Sequence, residues 1–130
     1  MVLELRFTEI VPPRSFNVGQ ENVVEISDCG RIRLEPDEMV TFENETGVEY
    51  DVVRKDWGFY ATPSLNGRLL DFKLHAALVR NQHGKYFIFL VQEGKEREFE
   101  KYLHLEKNEV VLWLDNDENL SDLVPERVDL

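Results

Sequence analysis

Phe72-Lys73-Leu74-His75-Ala76-Ala77-Leu78-Val79-Arg80, followed after His83-Gly84 by Lys85-Tyr86-Phe87-Ile88-Phe89-Leu90-Val91-Gln92, is the stretch on which the fold turns. The first run puts Phe72, Leu74, Ala76 and Leu78 on one side, the period-two signature of a strand. His83-Gly84 supplies a tight turn. The second run is apolar on both faces, which predicts a central strand. A hairpin from Leu70 to Glu93 is therefore expected.

Working upstream, Asn66-Gly67 is a strong turn dipeptide and predicts another hairpin turn. Phe59 to Thr62 reads as a strand ended by Pro63. Glu49 to Arg54 and Met39 to Phe42 alternate as strands, with Val40 and Phe42 inward. Glu35 to Glu38 and Asn44 to Gly47 turn the chain between them. Arg31 to Leu34 and Val23 to Ile26 are further strands, separated by a turn at Asp28-Cys29-Gly30. Arg14 to Asn22 reads as a loop or a short edge strand. Leu3 to Val11 opens the chain as a strand, stopped by Pro12-Pro13, which cannot donate ladder hydrogen bonds.

Downstream, Gly94 breaks the pattern. Lys95 to Lys107 carries Phe99, Tyr102 and Leu103 at helical spacing, with Asn108 as its stop. Glu109 to Asp115 is a last strand. The two strands around this helix are either parallel neighbours or antiparallel with the helix capping one end. Residues 117–130 form an acidic tail, with 121–130 docking as a short helix or fraying. The expected fold class is α+β, predominantly β. It is an antiparallel β-sandwich or open barrel of seven to nine strands, with one C-terminal helix before the last strand. Residues 1–116 are expected to be one globular domain.

Composition excludes several functions. The net charge is −11, from 26 acids against 15 bases. Such a chain disfavours nucleic acid and anionic membranes. The charge is uneven: residues 57–94 hold two acids, Asp71 and Glu93, against Arg68, Lys73, Arg80 and Lys85. Buried strands lack carboxylates, which accounts for this plainly. A basic stripe through those four cations would be needed for nucleic-acid binding. Cys29 is the one cysteine, so the chain can form neither an internal disulfide nor a multi-cysteine zinc site. No secretory leader and no apolar run of membrane-spanning length is read, and the cytoplasm is the expected location.

The candidate site is the stretch 57–68. Trp57, Phe59 and Tyr60 offer flat apolar surface of the kind that stacks on sugars or bases. Thr62, Ser64 and Asn66 offer neutral hydrogen bonds. Arg68 offers a bidentate grip on an oxyanion. The plainer reading is a core anchor followed by a polar loop. His75 and Tyr60 are the weak catalytic candidates, as base and acid. They require convergence with Arg68 in one pocket, and no carboxylate partner for His75 is visible in the sequence. No phosphate loop or nucleophile motif is present. No histidine stands at ligand spacing from another, and no metal or cofactor is expected.

Gly30 to Phe42, Gly-Arg-Ile-Arg-Leu-Glu-Pro-Asp-Glu-Met-Val-Thr-Phe, resembles the strand, turn, strand rhythm of cupin barrels. The resemblance implies a barrel architecture. Metal-binding cupins carry a His-x-His pair followed by a Glu, where this chain has Glu49 and Asp51, a weak hard-cation pair at most.

The expected function is a non-catalytic binding or accessory module. Its ligand would be a sugar-like or phosphorylated small molecule, or a protein partner. The alternative is a metal-independent enzyme of cupin-like architecture acting on a small sugar-like or carboxylated substrate. Self-association into a homo-oligomer is expected, because small β-rich domains protect edge strands by pairing them.

Overall fold

The computed structural model describes residues 6–19 and 23–125. Strands take up 48% of the described residues and helices 19%, so the chain is mostly β. The strands form three separate antiparallel sheets and do not close into a barrel.

The first sheet is a two-stranded ribbon of β1 (Phe7–Val18) and β2 (Val24–Ile32). Pro12-Pro13 does not end β1, contrary to expectation. The register passes from Glu9 opposite Gly30 to Arg14 opposite Asp28, so residues 10–13 bulge out of the ladder. The prolines sit where no ladder donor is required. Asp28-Cys29-Gly30 is likewise strand and not turn. Gly30 is there for space: a Cβ would lie 2.5 Å from Cζ of Phe7. The expected strand start at Leu3, and residues 20–22, fall outside the described residues.

The second sheet runs in the order β3 (Met39–Glu43), β4 (Glu49–Lys55), β5 (Gly58–Ala61). The β3–β4 connection is the short turn expected at 44–47, and a second tight turn at Asp56-Trp57, not read from the sequence, joins β4 to β5. Phe42, read as inward, is exposed, because β3 lies at an open edge of its sheet.

Asn66-Gly67 leads into a single helical turn, α1 (Arg68–Asp71), and not into a hairpin. The cause is Ser64. Its carbonyl accepts the amides of Gly67 and Leu69 at 3.2 and 3.1 Å, and its Oγ accepts the Arg68 amide at 3.2 Å. A serine offering such local bonds starts a helical turn more readily than a strand reversal.

The third sheet has the order β7-β6-β8, from β6 (Leu74–Arg80), β7 (Tyr86–Gln92) and β8 (Glu109–Trp113). The β6–β7 hairpin pairs Leu74 with Gln92 through Arg80 with Tyr86. Its turn is organised by Asn81, whose Oδ1 accepts the amides of His83 and Lys85, each at 2.9 Å. The central strand is β6, not β7. Ala76 and Ala77, both fully buried, give β6 little bulk on either face, so packing layers approach it from both sides. The apolar run of β7 is an edge, and Tyr86, Phe87 and Ile88 are exposed.

A longer helix, α2 (Glu96–Glu106), joins β7 to β8. Both strands are antiparallel to β6 and flank it, so they run parallel to each other without being neighbours. The expectation of either parallel neighbours or a capped antiparallel pair is replaced by this split arrangement. Phe99 of α2 meets Phe89 and Trp113 at centroid distances of 5.8 and 6.0 Å, which places α2 on the His75–Ala77–Val79 side of β6. The other side packs Leu74 and Ala76 on Leu69 of α1, with Leu65, Tyr50, Leu90 and Leu114 around them. A third helix, α3 (Asp117–Leu123), follows β8, so α2 is not the chain's one helix. Asn116 caps it by accepting the Asn119 amide at 3.1 Å.

Candidate functional site

Strand alternation sorts the β3–β4–β5 sheet into two faces. One carries Tyr50, Val52, Arg54 and Phe59, and its Tyr50 joins the core cluster. The other carries Met39 and Thr41 of β3, Asp51, Val53 and Lys55 of β4, and Tyr60 of β5, with Thr62 just beyond it. Several of the expected site residues gather on this second face.

Trp57, in the β4–β5 turn, lies over Tyr60, with ring centroids 5.9 Å apart and planes 22° from parallel. Trp57 is 70% exposed and Tyr60 45%. Two aromatics held parallel at the surface present a flat apolar plate. Tyr60 is paired with Val53, two residues along β4 from Asp51, about 7 Å by strand rise. There the face becomes polar. Asp51 is 6% exposed and its carboxylate accepts from Thr41 Oγ1 at 2.5 Å and from Arg68 Nη2 at 3.1 Å. Arg68 also donates to the Thr62 hydroxyl, and its guanidinium stands 5.4 Å over the Phe72 ring. A buried carboxylate needs such compensation, and Asp51 has it. Arg68 stays half-exposed, with donors left over for a ligand. At the opposite end of the face, Lys55 is bonded to Asp37, which holds its ammonium above the ordinary lysine range.

The face thus brings together Trp57, Tyr60 and Arg68. Ser64 and Asn66 are engaged elsewhere. Ser64 is exposed but its Oγ is taken up by the Arg68 amide at the start of α1, while Asn66 Nδ2 donates to Asp117 Oδ1 at 2.8 Å, tying the loop to α3. Sequence reasoning missed Asp51 as the partner of Arg68 and Thr41 as its second donor. The available signal was an acid set between the apolar Tyr50 and Val52 of β4.

His75 does not join this group. It lies on the α2 side of β6, whereas α1, which carries Arg68, packs on the side of Leu74 and Ala76. His75, Tyr60 and Arg68 therefore do not converge, and an acid–base mechanism using all three has no geometry here. His75 does have a carboxylate partner that the sequence did not reveal. Its Nδ1 bonds to Asp115 Oδ2, and Trp113 meets the ring edge-on at 6.5 Å. Glu96, at the start of α2, is held below the ordinary glutamate range by its own amide and that of Gly94, with a smaller pull from His75. Glu49 and Asp51 share a face as their spacing implies, but Asp51 is committed to Arg68 and Thr41. Among the described residues no group of three or more His, Cys, Asp or Glu could hold a metal ion. Nor is any helix among them long and apolar enough to cross a membrane.

No protein-family model, curated protein or solved structure matches the chain.

Proposed function

We propose that this chain is a non-catalytic binding module whose recognition surface is the open face of the β3–β4–β5 sheet. The supporting observation is the Trp57–Tyr60 stack, held parallel at the surface on the same face as the Arg68–Asp51 pair. The ligand is a small sugar-like molecule. Its apolar ring face lies on the aromatic plate and its hydroxyls bond to Arg68 and its neighbours. Arg68 already faces a carboxylate, so the polar end suits a neutral group with both donors and acceptors better than a full anion. The module works in the cytoplasm. A titration of the labelled protein with mono- and disaccharides, followed by amide NMR shifts, tests the reading. Shifts confined to the 39–62 region and lost in Trp57→Ala support it. A complete sugar panel with no shift there sinks it.

A second reading, self-association, has an observation of its own. In the outer half of the β1–β2 ribbon, Phe16 pairs with Ile26 and Val18 with Val24, and all four are substantially exposed on one face. An isolated two-stranded ribbon is marginal in water, so a second copy covering that face accounts for it. Sedimentation of Phe16→Ser with Ile26→Ser decides: a wild-type dimer that becomes monomeric supports self-association, and a monomeric wild type removes it.

A further inference from the structure

A groove of about 660 Å³ lies where the base of the β1–β2 ribbon meets the second sheet. The ribbon supplies Arg6, Phe7, Arg31 and Arg33, and the sheet supplies Arg54 with its cross-strand neighbour Phe59. Four arginines lining one groove stand out in a chain of net charge −11.

The ribbon geometry concentrates that charge. The Arg33 amide donates to the Arg6 carbonyl at 2.9 Å, setting the two residues opposite each other, and Arg31 is opposite Thr8 on the same face. Like charges directly across a ladder repel and destabilise it. The carboxylates at hand answer only part of this. Glu38 bonds to Arg6, and Glu35, also in the lining, lies 3.9 Å from Arg54, whose Nη1 donates to the Leu34 carbonyl at 3.3 Å. Among the described residues Arg31 and Arg33 have no carboxylate partner. Phe59 is 66% exposed beside them.

From this arrangement we infer that the groove binds a small organic dianion, a phosphate monoester carrying a flat apolar group. Arg31 and Arg33 bind the phosphate through forked hydrogen bonds, and the exposed ring of Phe59 receives the apolar part. The volume is that of a small-molecule site. A longer polyanion such as a nucleic-acid strand would run out over the acidic remainder of the surface. The groove lies on the Phe59 side of the second sheet, opposite the Trp57–Tyr60 face, so it is independent of the function proposed above.

Phenyl phosphate is the probe, with inorganic phosphate, phenol and a short single-stranded oligonucleotide as comparisons, all on the full chain. Amide NMR titration should show phenyl phosphate shifting residues 31–35, 54 and 59. Inorganic phosphate should bind more weakly and phenol not at all. The melting temperature should rise with phenyl phosphate, and affinity should fall as salt is raised. Arg31→Ala with Arg33→Ala should weaken binding at least tenfold, and Arg14→Ala, on the same ribbon but outside the groove, should leave it unchanged. Should the double alanine variant unfold by circular dichroism, Arg31→Lys with Arg33→Lys carries the test. It keeps the charge but loses the fork, and should bind several-fold more weakly. Absence of phenyl phosphate binding, equal binding by the arginine variants, or tighter binding of the oligonucleotide each overturns the inference.

Discussion

Arg68 reaches back 17 residues to the carboxylate of Asp51, and this pair joins α1 to the centre of β4. Asp51 is buried, while Arg68 is half-exposed, so water screens part of the attraction. Arg68→Ala is expected to cost about 1–2 kcal/mol, the value of a charge-assisted bond reduced by that exposure. The melting temperature should fall by about 3–8 °C. Asp51→Ala should cost at least as much, because it also leaves the Thr41 hydroxyl without its acceptor. Equal melting curves for wild type and both variants would remove the pair from the account of stability.

Leu69 is the larger anchor. It is fully buried between α1 and β6, against Leu74 and Ala76. Leu69→Ala should lose about 2–5 kcal/mol, the transfer and cavity cost of a core leucine. Urea titration measures it. A loss below 1 kcal/mol would mean that α1 contributes little to the core.

Trp57 should behave in the opposite way. At 70% exposure it has little burial to lose, so Trp57→Ala should change stability by no more than about 0.5 kcal/mol. The prediction separates a recognition residue from a core residue. A large destabilisation would return Trp57 to the role of a structural anchor.

Gly30 is constrained by its neighbours. A Cβ there would meet Phe7 Cζ at 2.5 Å and the Thr8 carbonyl oxygen at 2.8 Å. The ring can rotate away, but the backbone oxygen cannot do so without bending the ladder. Gly30→Ala should cost about 1–3 kcal/mol in ribbon stability. Faster amide exchange confined to residues 7–18 and 24–32 would be the sign of it.

Glu96 sets a pH dependence. Amide hydrogen bonds lower its folded-state pKa below the ordinary 4.5. A lowered carboxylate contributes stability that is fully present above the unfolded value and is lost as pH falls through the folded one. Glu96→Gln should therefore cost stability at pH 7, and its difference from wild type should shrink as the pH is taken below 4.5. A gap that stays constant with pH would assign the effect to side-chain shape and not to ionisation.

The local pattern made the β6–β7 hairpin, β3, β4 and α2 legible. Each depends on a period of two or 3.6 residues, and that period is written in consecutive side chains. Residue type, and not alternation, marked Trp57, Tyr60, Ser64, Asn66 and Arg68 as a distinctive set. What it could not supply was the return of the chain. An uninterrupted apolar run looks central whether it has one neighbour or two, so β7 was read as central although the small residues of β6 admit layers on both sides. Pro12-Pro13 reads as a stop until the opposite strand shows a bulge that needs no donor. Asp51 meets Arg68 across 17 residues, and Asp115 meets His75 across 40. Such meetings depend on which strands pair and which face each layer covers, and no local spacing encodes them. The sequence by itself determined the β6–β7 hairpin, β3, β4 and α2, whose periods are written in consecutive side chains. The tertiary structure alone decided which residues share a face, because a face is made by pairing distant strands.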